Sequence, residues 1–285
     1  MSIDDIVLSD DRRGVSALRA HLGEDFCHEA ARFILESSGT TLIATGFYIL
    51  NAGAAENDGP PGALALGRAL QALDRRVVYV TDRYCVPLMK ALDRSHAEVV
   101  EFPIVNDYAS KKFASELLEK FSPGLLIAIE RCGLTKDATY LNMRSLDISS
   151  DTARLDYMFL QHPRSVGIGD GGNEIGMGLL AEEIQNVPSL PDNPTTTATT
   201  HLVVCSVSNW GGYGVVTALS RLVGRNLLPS VEDELALIRR AVDFGAVEGI
   251  SGERKYVVDG YDLEENADIL SRLHSVLAED GIIGG

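Results

Sequence analysis

Basic residues are scarce in this sequence: 25 Lys and Arg stand against 41 Asp and Glu, leaving a formal net charge of -16. A phosphate backbone is neutralised by clustered Lys and Arg, so nucleic-acid partners are excluded at the outset. Cysteine is sparse as well. Cys27, Cys85, Cys132 and Cys205 lie far apart, with no C-x-x-C pair and no histidine at zinc-ligand spacing, and they read as buried free thiols. No stretch approaches the ~20 apolar residues of a membrane span. The acidic opening MSIDDIVLSDDRRG has neither the apolar core of a signal peptide nor the Arg-rich, acid-poor character of a transit peptide. The expectation is a cytoplasmic protein with no membrane partner.

Familiar catalytic signatures are absent too. There is no G-x-x-x-x-G-K-[ST] phosphate loop and no dinucleotide fingerprint with its ribose-binding acid, so no nucleotide cofactor is expected. His21, His28, His96, His162, His201 and His274 show no H-E-x-x-H or triad-like context, and no G-x-S-x-G is present, which removes support for covalent hydrolase chemistry. Repeats, heptads and low-complexity tails are likewise lacking.

What is present is an ordinary globular balance, 45% hydrophobic and 23% charged, in a chain of 285 residues that can form one large domain over 1–285. Short runs rich in β-branched residues predict strands at 41–47, 76–82, 98–102, 124–130, 165–170, 201–208 and 256–258. Helical periods alternate with them at 62–73, 86–95, 110–121, 152–161, 174–185, 213–223, 232–244 and 264–278. This rhythm predicts an α/β fold of three α/β/α layers around a mostly parallel, doubly wound sheet. Residues 1–40 read as a helical extension outside the sheet. Two segments break the rhythm: a polar loop at 131–150, long enough to suggest function, and a Pro/Thr-rich insertion at 187–200, which reads as a crossing linker.

In an open parallel sheet, ligands bind beyond the carboxyl ends of the strands. The runs VVYVTD, LLIAIE and SVGIGD end in Asp82, Glu130 and Asp170, and the strand at 41–47 is followed by AENDGPPG, carrying Glu56 and Asp58. Singly, each such acid is a helix cap or turn former. Together they return to one edge, where like charge must be balanced by a divalent cation, a substrate ammonium or raised pKa values. Three turns at that edge are glycine-rich (NDGPPGA, GDGGNEIG and NWGGYG), and exposed amides there suit a carboxylate or phosphate. Basic residues nearby are few: Arg131, Lys136 and Arg144, with Asn142 beside them. A site of both signs reads as a receptor for a small zwitterionic acid.

The blocks ENDGPPGA (56–63), VVYVTD (77–82), ERCGLTKDATYLNMRSLDIS (130–149), GIGDGGNEIGMG (167–178) and SNWGGYG (208–214) together resemble the C-terminal domain of D-glutamate cyclases, over about residues 30–280. The resemblance implies a lyase that closes D-glutamate to 5-oxo-D-proline with loss of water. Animal members are mitochondrial and carry an additional N-terminal hydro-lyase-like domain, which these residues do not contain. A separate hydro-lyase-like partner is therefore expected, and homo-oligomerisation is left open. Ala138 and Ser145 stand where the family pattern has glycine, so the loop around them is expected to sit differently.

Lactam closure needs a base for the ammonium, an electrophilic γ-carboxyl and a leaving oxygen. Asp170 and Glu174, four residues apart, are the expected base candidates. A divalent cation (Mg, Mn or Ca) held by Asp58, Glu130 or Asp170, or else Lys136 or Arg131, is expected to polarise the γ-carboxyl. Substrate contacts are expected from Asn57, Asp58, Gly59, Arg131, Asn142, Arg144, Asn173 and Asn209, with the amides of Gly171, Gly172, Gly211 and Gly212 holding the α-carboxylate. Two alternatives accompany this reading: a non-catalytic or partner-dependent binding protein for a small acidic metabolite or metal, and a lyase or isomerase acting on another small amino or hydroxy acid.

Overall fold

The apolar runs fold as strands because helices cover them on both sides. In the computed structural model, which describes residues 1–283, six parallel strands form the central sheet. They are β1 (Thr41–Thr45), β2 (Val77–Thr81), β3 (Glu98–Glu101), β4 (Leu125–Ile129), β5 (Ser165–Gly169) and β6 (His201–Val204). Every residue of β1, β2, β4 and β5 is buried, the pattern of a parallel sheet enclosed between two helical layers. The spatial order is β3-β2-β1-β4-β5-β6, with Ile43 of β1 level with Tyr79 on one side and Ile127 on the other. This is the doubly wound order, and its reversal between β1 and β4 opens a crevice at their carboxyl ends.

Among the described residues ten α-helices follow in chain order: α1 (Ile3–Val7), α2 (Phe26–Glu36), α3 (Pro60–Gln71), α4 (Val86–Leu92), α5 (Asp107–Phe121), α6 (Asp156–Phe159), α7 (Ala181–Ile184), α8 (Ser208–Val223), α9 (Val231–Phe244) and α10 (Leu263–Glu279). Side chains alternate across the sheet, so Ile43, Tyr79 and Ile127 enter a core shared with α2, α3 and α8. Leu42, Ala44, Val78, Leu126 and Ala128 enter the other core, with Ala114, Leu117 and Phe121 of α5. The centre of the first layer is α8, buried from Ser208 to Ser220 and packed against α2, α3 and α10. Among the described residues no helix is long and apolar enough to cross a membrane.

Five elements differ from expectation. The strand at 201–208 stops at Val204, and α8 begins at Ser208 rather than 213, because its first turn is capped from elsewhere in the chain. The helix expected at 152–161 is only α6, since Asp156 is recruited to hold loops: its carboxylate accepts from Leu134 N (2.8 Å), Thr197 Oγ1 (2.6 Å) and the Tyr140 hydroxyl (2.6 Å). The helix expected at 174–185 is interrupted by Gly176, at φ +109°, whose amide donates to Thr197 O at 2.8 Å. Residues 257–258 pair with 261–262 in a separate antiparallel hairpin.

The insertion at 187–200 is no plain linker. Thr195 pairs with Thr135, Thr196 N donates to Leu134 O (2.7 Å), and Ala198 pairs with Gly176 and Met177, so it joins the 131–150 loop to the turn after β5. The first forty residues lie outside the sheet, as expected. They are packed into the fold all the same, with α2 against α8 and β6.

Candidate functional site

Beyond the carboxyl ends of β1, β4 and β5, six carboxyl groups gather out of solvent: Glu56, Asp58, Glu130, Asp170, Glu174 and Asp259. Glu130 is the residue after β4 and has a left-handed backbone, φ +45°, a conformation that costs a non-glycine residue of order 1–3 kcal/mol and collects at functional sites. Its Oε2 accepts from the Ser208 hydroxyl at 2.6 Å, at the amino end of α8.

Asp58 and Asn209 cap two helices reciprocally. Asp58 accepts from the amides of Ser208 and Asn209, each at 2.8 Å, closing the start of α8. Asn209 Oδ1 accepts from the amides of Gly59 (3.0 Å) and Gly62 (2.8 Å), closing the start of α3. Gly59 sits at φ +91°, where a Cβ would lie 2.6 Å from Glu130 Cβ, so only glycine lets the two segments approach. Asn57 is fully buried, its amide nitrogen bonded to Val257 O at 2.7 Å and its Oδ1 unpartnered. Both helix amino ends point their positive dipoles at the carboxyl cluster.

The 167–178 segment folds around Glu174. Its Oε2 accepts from Gly172 N at 2.8 Å and its Oε1 lies 3.4 Å from Asp170 N, so the Gly172 amide is already engaged within the turn. A Cβ on Gly171 would meet Met143 Sδ at 2.7 Å, bringing the loop at 131–150 hard against this turn. Asn173 donates to Leu141 O at 2.9 Å and leaves its buried Oδ1 without a partner.

Arg13, which sequence reasoning passed over, enters this nest from the N-terminal segment. Its guanidinium pairs with Asp170 Oδ1 and, at 2.8 Å, with Asp259 Oδ1. One cation among six acids leaves an excess of negative charge, and the carboxyl groups respond. Burial, then the charge of Asp259, pushes Asp58 up to about 8 despite its amide donors. Burial lifts Glu56 well above the carboxylate range, with the charges of Asp259 and Asp58 adding to it. Glu130 is raised likewise by burial and then by Glu56 and Glu174. Asp170 is raised by burial, with Arg13 opposing. Two carboxylate triads have ligand oxygens within 4.8 Å of one another, Asp58 with Asp170 and Asp259, and Glu130 with Asp170 and Glu174. Asp170 belongs to both, and its Oδ2, like Glu56 Oε1, is buried without a hydrogen-bond partner.

A cavity of about 370 Å³ opens beside the nest. Glu56, Glu130, Glu174 and Asp259 reach its wall, as do Arg13 and Arg144, Asn142 and Asn173, and the apolar side chains of Phe47, Ile49 and Met143. Arg144 is anchored by a bond to Ile250 O at 2.7 Å, and Asn142 Oδ1 accepts from Arg144 N at 2.9 Å. Asp58 and Asp170 lie outside the cavity lining.

Several expected residues lie elsewhere. Lys136 is exposed on its loop and does not reach the cavity. Arg131 is buried in a structural role, bonding Asp82 Oδ2 (2.6 Å), Gly46 O (2.6 Å) and Ala153 O (2.8 Å), which also removes Asp82 from the nest. Gly211 and Gly212 are inside α8 rather than in an open turn. The Gly211 amide donates to Val207 O and a Cβ there would meet Ile168 and Cys205 at 2.6 Å, whereas a Cβ on Gly212 would lie 3.2 Å from Gly62 Cα, so the two glycines let α8 approach the sheet and α3. Ala138 and Ser145, in glycine's place, both take left-handed backbones (φ +60° and +57°), the conformation that glycine adopts freely.

The family described as D-glutamate cyclase-like, C-terminal, matches residues 3–274, so the match takes in the segment that carries Arg13. Mitochondrial D-glutamate cyclase of Homo sapiens is 29% identical over 289 residues, covering 86% of this chain and 47% of that protein. The chain thus spans about half the length of the curated relative it matches. Among solved structures, an exopolyphosphatase-related protein from Bacteroides fragilis superposes with a TM-score of 0.43 at 9% identity, over 92% of this chain and 58% of that one, a likeness too loose to bear on the site.

Proposed function

Since the chain belongs to the D-glutamate cyclase-like, C-terminal family, we propose that its cavity takes D-glutamate and closes it to 5-oxo-D-proline with loss of water. The observation that carries this reading is a cavity of about 370 Å³, inside the ~300–1,000 Å³ range of small-molecule sites, lined by Glu130 and Glu174 together with Arg13 and Arg144. Closure joins the α-amino nitrogen to the γ-carboxyl carbon. Two protons leave the ammonium, and two reach one γ-oxygen, which departs as water. Glu174, fixed by the amides of Gly172 and Asp170, is the proposed base. Glu130, whose carboxyl is pushed toward its protonated form by burial and its acidic neighbours, is the proposed acid for the departing oxygen. Arg144, with Asn142 and Asn173 beside it, is the proposed partner of the α-carboxylate.

Oxygen-only donors with orphaned Asp170 Oδ2 and Glu56 Oε1 fit a hard divalent cation such as Mg, Mn or Ca, held by Asp58, Asp170 and Asp259 or by Glu130, Asp170 and Glu174. When bound, such an ion supplies Lewis-acid polarisation of a carboxyl oxygen. Asp170, off the cavity wall, is then a ligand and positioning residue.

The test incubates the purified chain with D- or L-glutamate and follows loss of primary amine and appearance of 5-oxoproline. D-glutamate is expected to be consumed, at least 100-fold more slowly by Glu174→Gln and at an unchanged rate by Lys136→Ala. A second reading is that this half, which spans 47% of the human relative, binds D-glutamate and depends on a hydro-lyase-like partner for catalysis. Thermal stabilisation by D-glutamate with no product from either enantiomer would replace the first reading with the second.

A further inference from the structure

We propose that a second cavity, at the end of α3 remote from the acidic nest, is a binding site for a small anion bearing phosphoryl groups. It measures about 730 Å³, and its wall carries Arg68, Arg94, Arg225 and Arg240. In a chain with 41 acids and a net charge of -16, four guanidinium groups around one hollow are out of character. Among the described residues none of the four forms an ion pair, although most other arginines do.

The single acid on the wall is Asp233, whose Oδ2 is occupied by the Ser230 hydroxyl at 2.7 Å. Arg225 bonds the carbonyl of Ala72, but Arg240 Nε is shielded from water and has no acceptor. Burial, and then the charges of Arg94 and Arg68, pull Arg240 below its ordinary range, with the charges of Asp233 and Glu234 acting against them. Ser230 opens α9, whose first turn carries Glu232, Asp233 and Glu234, so the dipole of that helix end is already met by acids and the hollow's positive character rests on its guanidinium groups. Arginine forks recognise phosphoryl oxygens in paired hydrogen bonds, and several forks around one hollow suit an anion of more than one charge. The other end of α3 begins at Gly59, beside Asp58 and Glu130, about 18 Å away at ~1.5 Å per residue. One helix therefore joins the two sites.

Binding, not turnover, is the readout, so this inference stands apart from the proposed reaction. The full chain is titrated calorimetrically and by thermal melting with inorganic pyrophosphate, and separately with citrate, at low chloride and with chelator present. Pyrophosphate is expected to raise the melting temperature by several degrees and to bind at least 10-fold more weakly to Arg68→Gln and to Arg240→Gln. Arg68 and Arg240 also face the buried Glu234, so each variant's shift with pyrophosphate is read against its own melting temperature without ligand. Arg94 is exposed, so Arg94→Gln keeps the fold safe and should weaken binding in the same direction. No stabilisation by pyrophosphate, equal affinity in parent and variants, or tighter binding of citrate would each overturn the assignment.

Discussion

Arg13 brings one positive charge to six carboxyl groups, and burial together with mutual repulsion raises Glu56, Asp58, Glu130 and Asp170. Its side chain joins Asp170 and Asp259, two acids of one triad, so it acts as a tethered counterion that a diffusible cation can supplement. Ala138 and Ser145 show a second kind of residue-level cost. Each holds a left-handed backbone in the loop that carries Asn142 and Arg144 to the cavity, where a Cβ is penalised by roughly 1–2 kcal/mol. Glycine recovers most of that and gives part back through the unfolded chain's freedom. Ala138→Gly and Ser145→Gly are each expected to stabilise the protein by about 0.5–1 kcal/mol in urea unfolding, with additive effects. A loss of stability in both variants would show that the loop is held by contacts of these side chains instead.

At the level of elements, the parallel strands were legible because burial on both faces demands unbroken apolar runs, and VVYVT or LLIAI has no other economical use. The segment 174–185 carries a helical period, yet Gly176 pairs with Ala198, a partner 22 residues on that local pattern does not announce. Glycines at 208–214 were misjudged for a related reason: close helix packing and ligand approach ask for the same residue. Arg13 and Asp259 were invisible because their meaning depends on contacts across most of the chain, 157 residues in the case of Arg13 and Asp170.

Within α9, Glu234 offers a test of element chemistry. It accepts from the Tyr213 hydroxyl of α8 at 2.7 Å and leaves Oε2 buried and unpartnered. Burial raises it to about 7, against opposing charges from Arg68 and Arg240 and with a reinforcing one from Asp233. A carboxyl raised in the folded state favours folding fully below its unfolded value of 4.5, and that contribution is lost as pH rises through about 7. The parent is therefore expected to lose up to about 3 kcal/mol more than Glu234→Gln between pH 4.5 and pH 8, taking ~1.4 kcal/mol per unit. Identical pH profiles by chemical denaturation would remove Glu234 from the account.

For the whole molecule, the strand-end acids carried the main message of the sequence, and the fold concentrates them where the strand order reverses. Such a nest lowers its energy by keeping protons or by binding a cation, and the two are in competition. Asp58, at about 8, holds a proton near neutrality, and burial pushes Glu56, Glu130 and Asp170 in the same direction, so a divalent ion must expel protons to bind. Calorimetric titration with Mg, Mn or Ca in two buffers of different ionisation enthalpy is thus expected to show release of at least one proton at pH 7. Affinity should tighten as pH rises from 6 to 8.5, because fewer protons then remain to be displaced. Asp170 serves both triads, so Asp170→Asn should abolish the stabilisation by the ion, whereas Lys136→Ala, out on its exposed loop, should keep it. If none of the three ions gives heat or a melting shift at millimolar concentration, protonation and Arg13 alone balance the nest, and the ring closure proposed for this cavity must proceed by the carboxyl groups of Glu130 and Glu174 without Lewis-acid help.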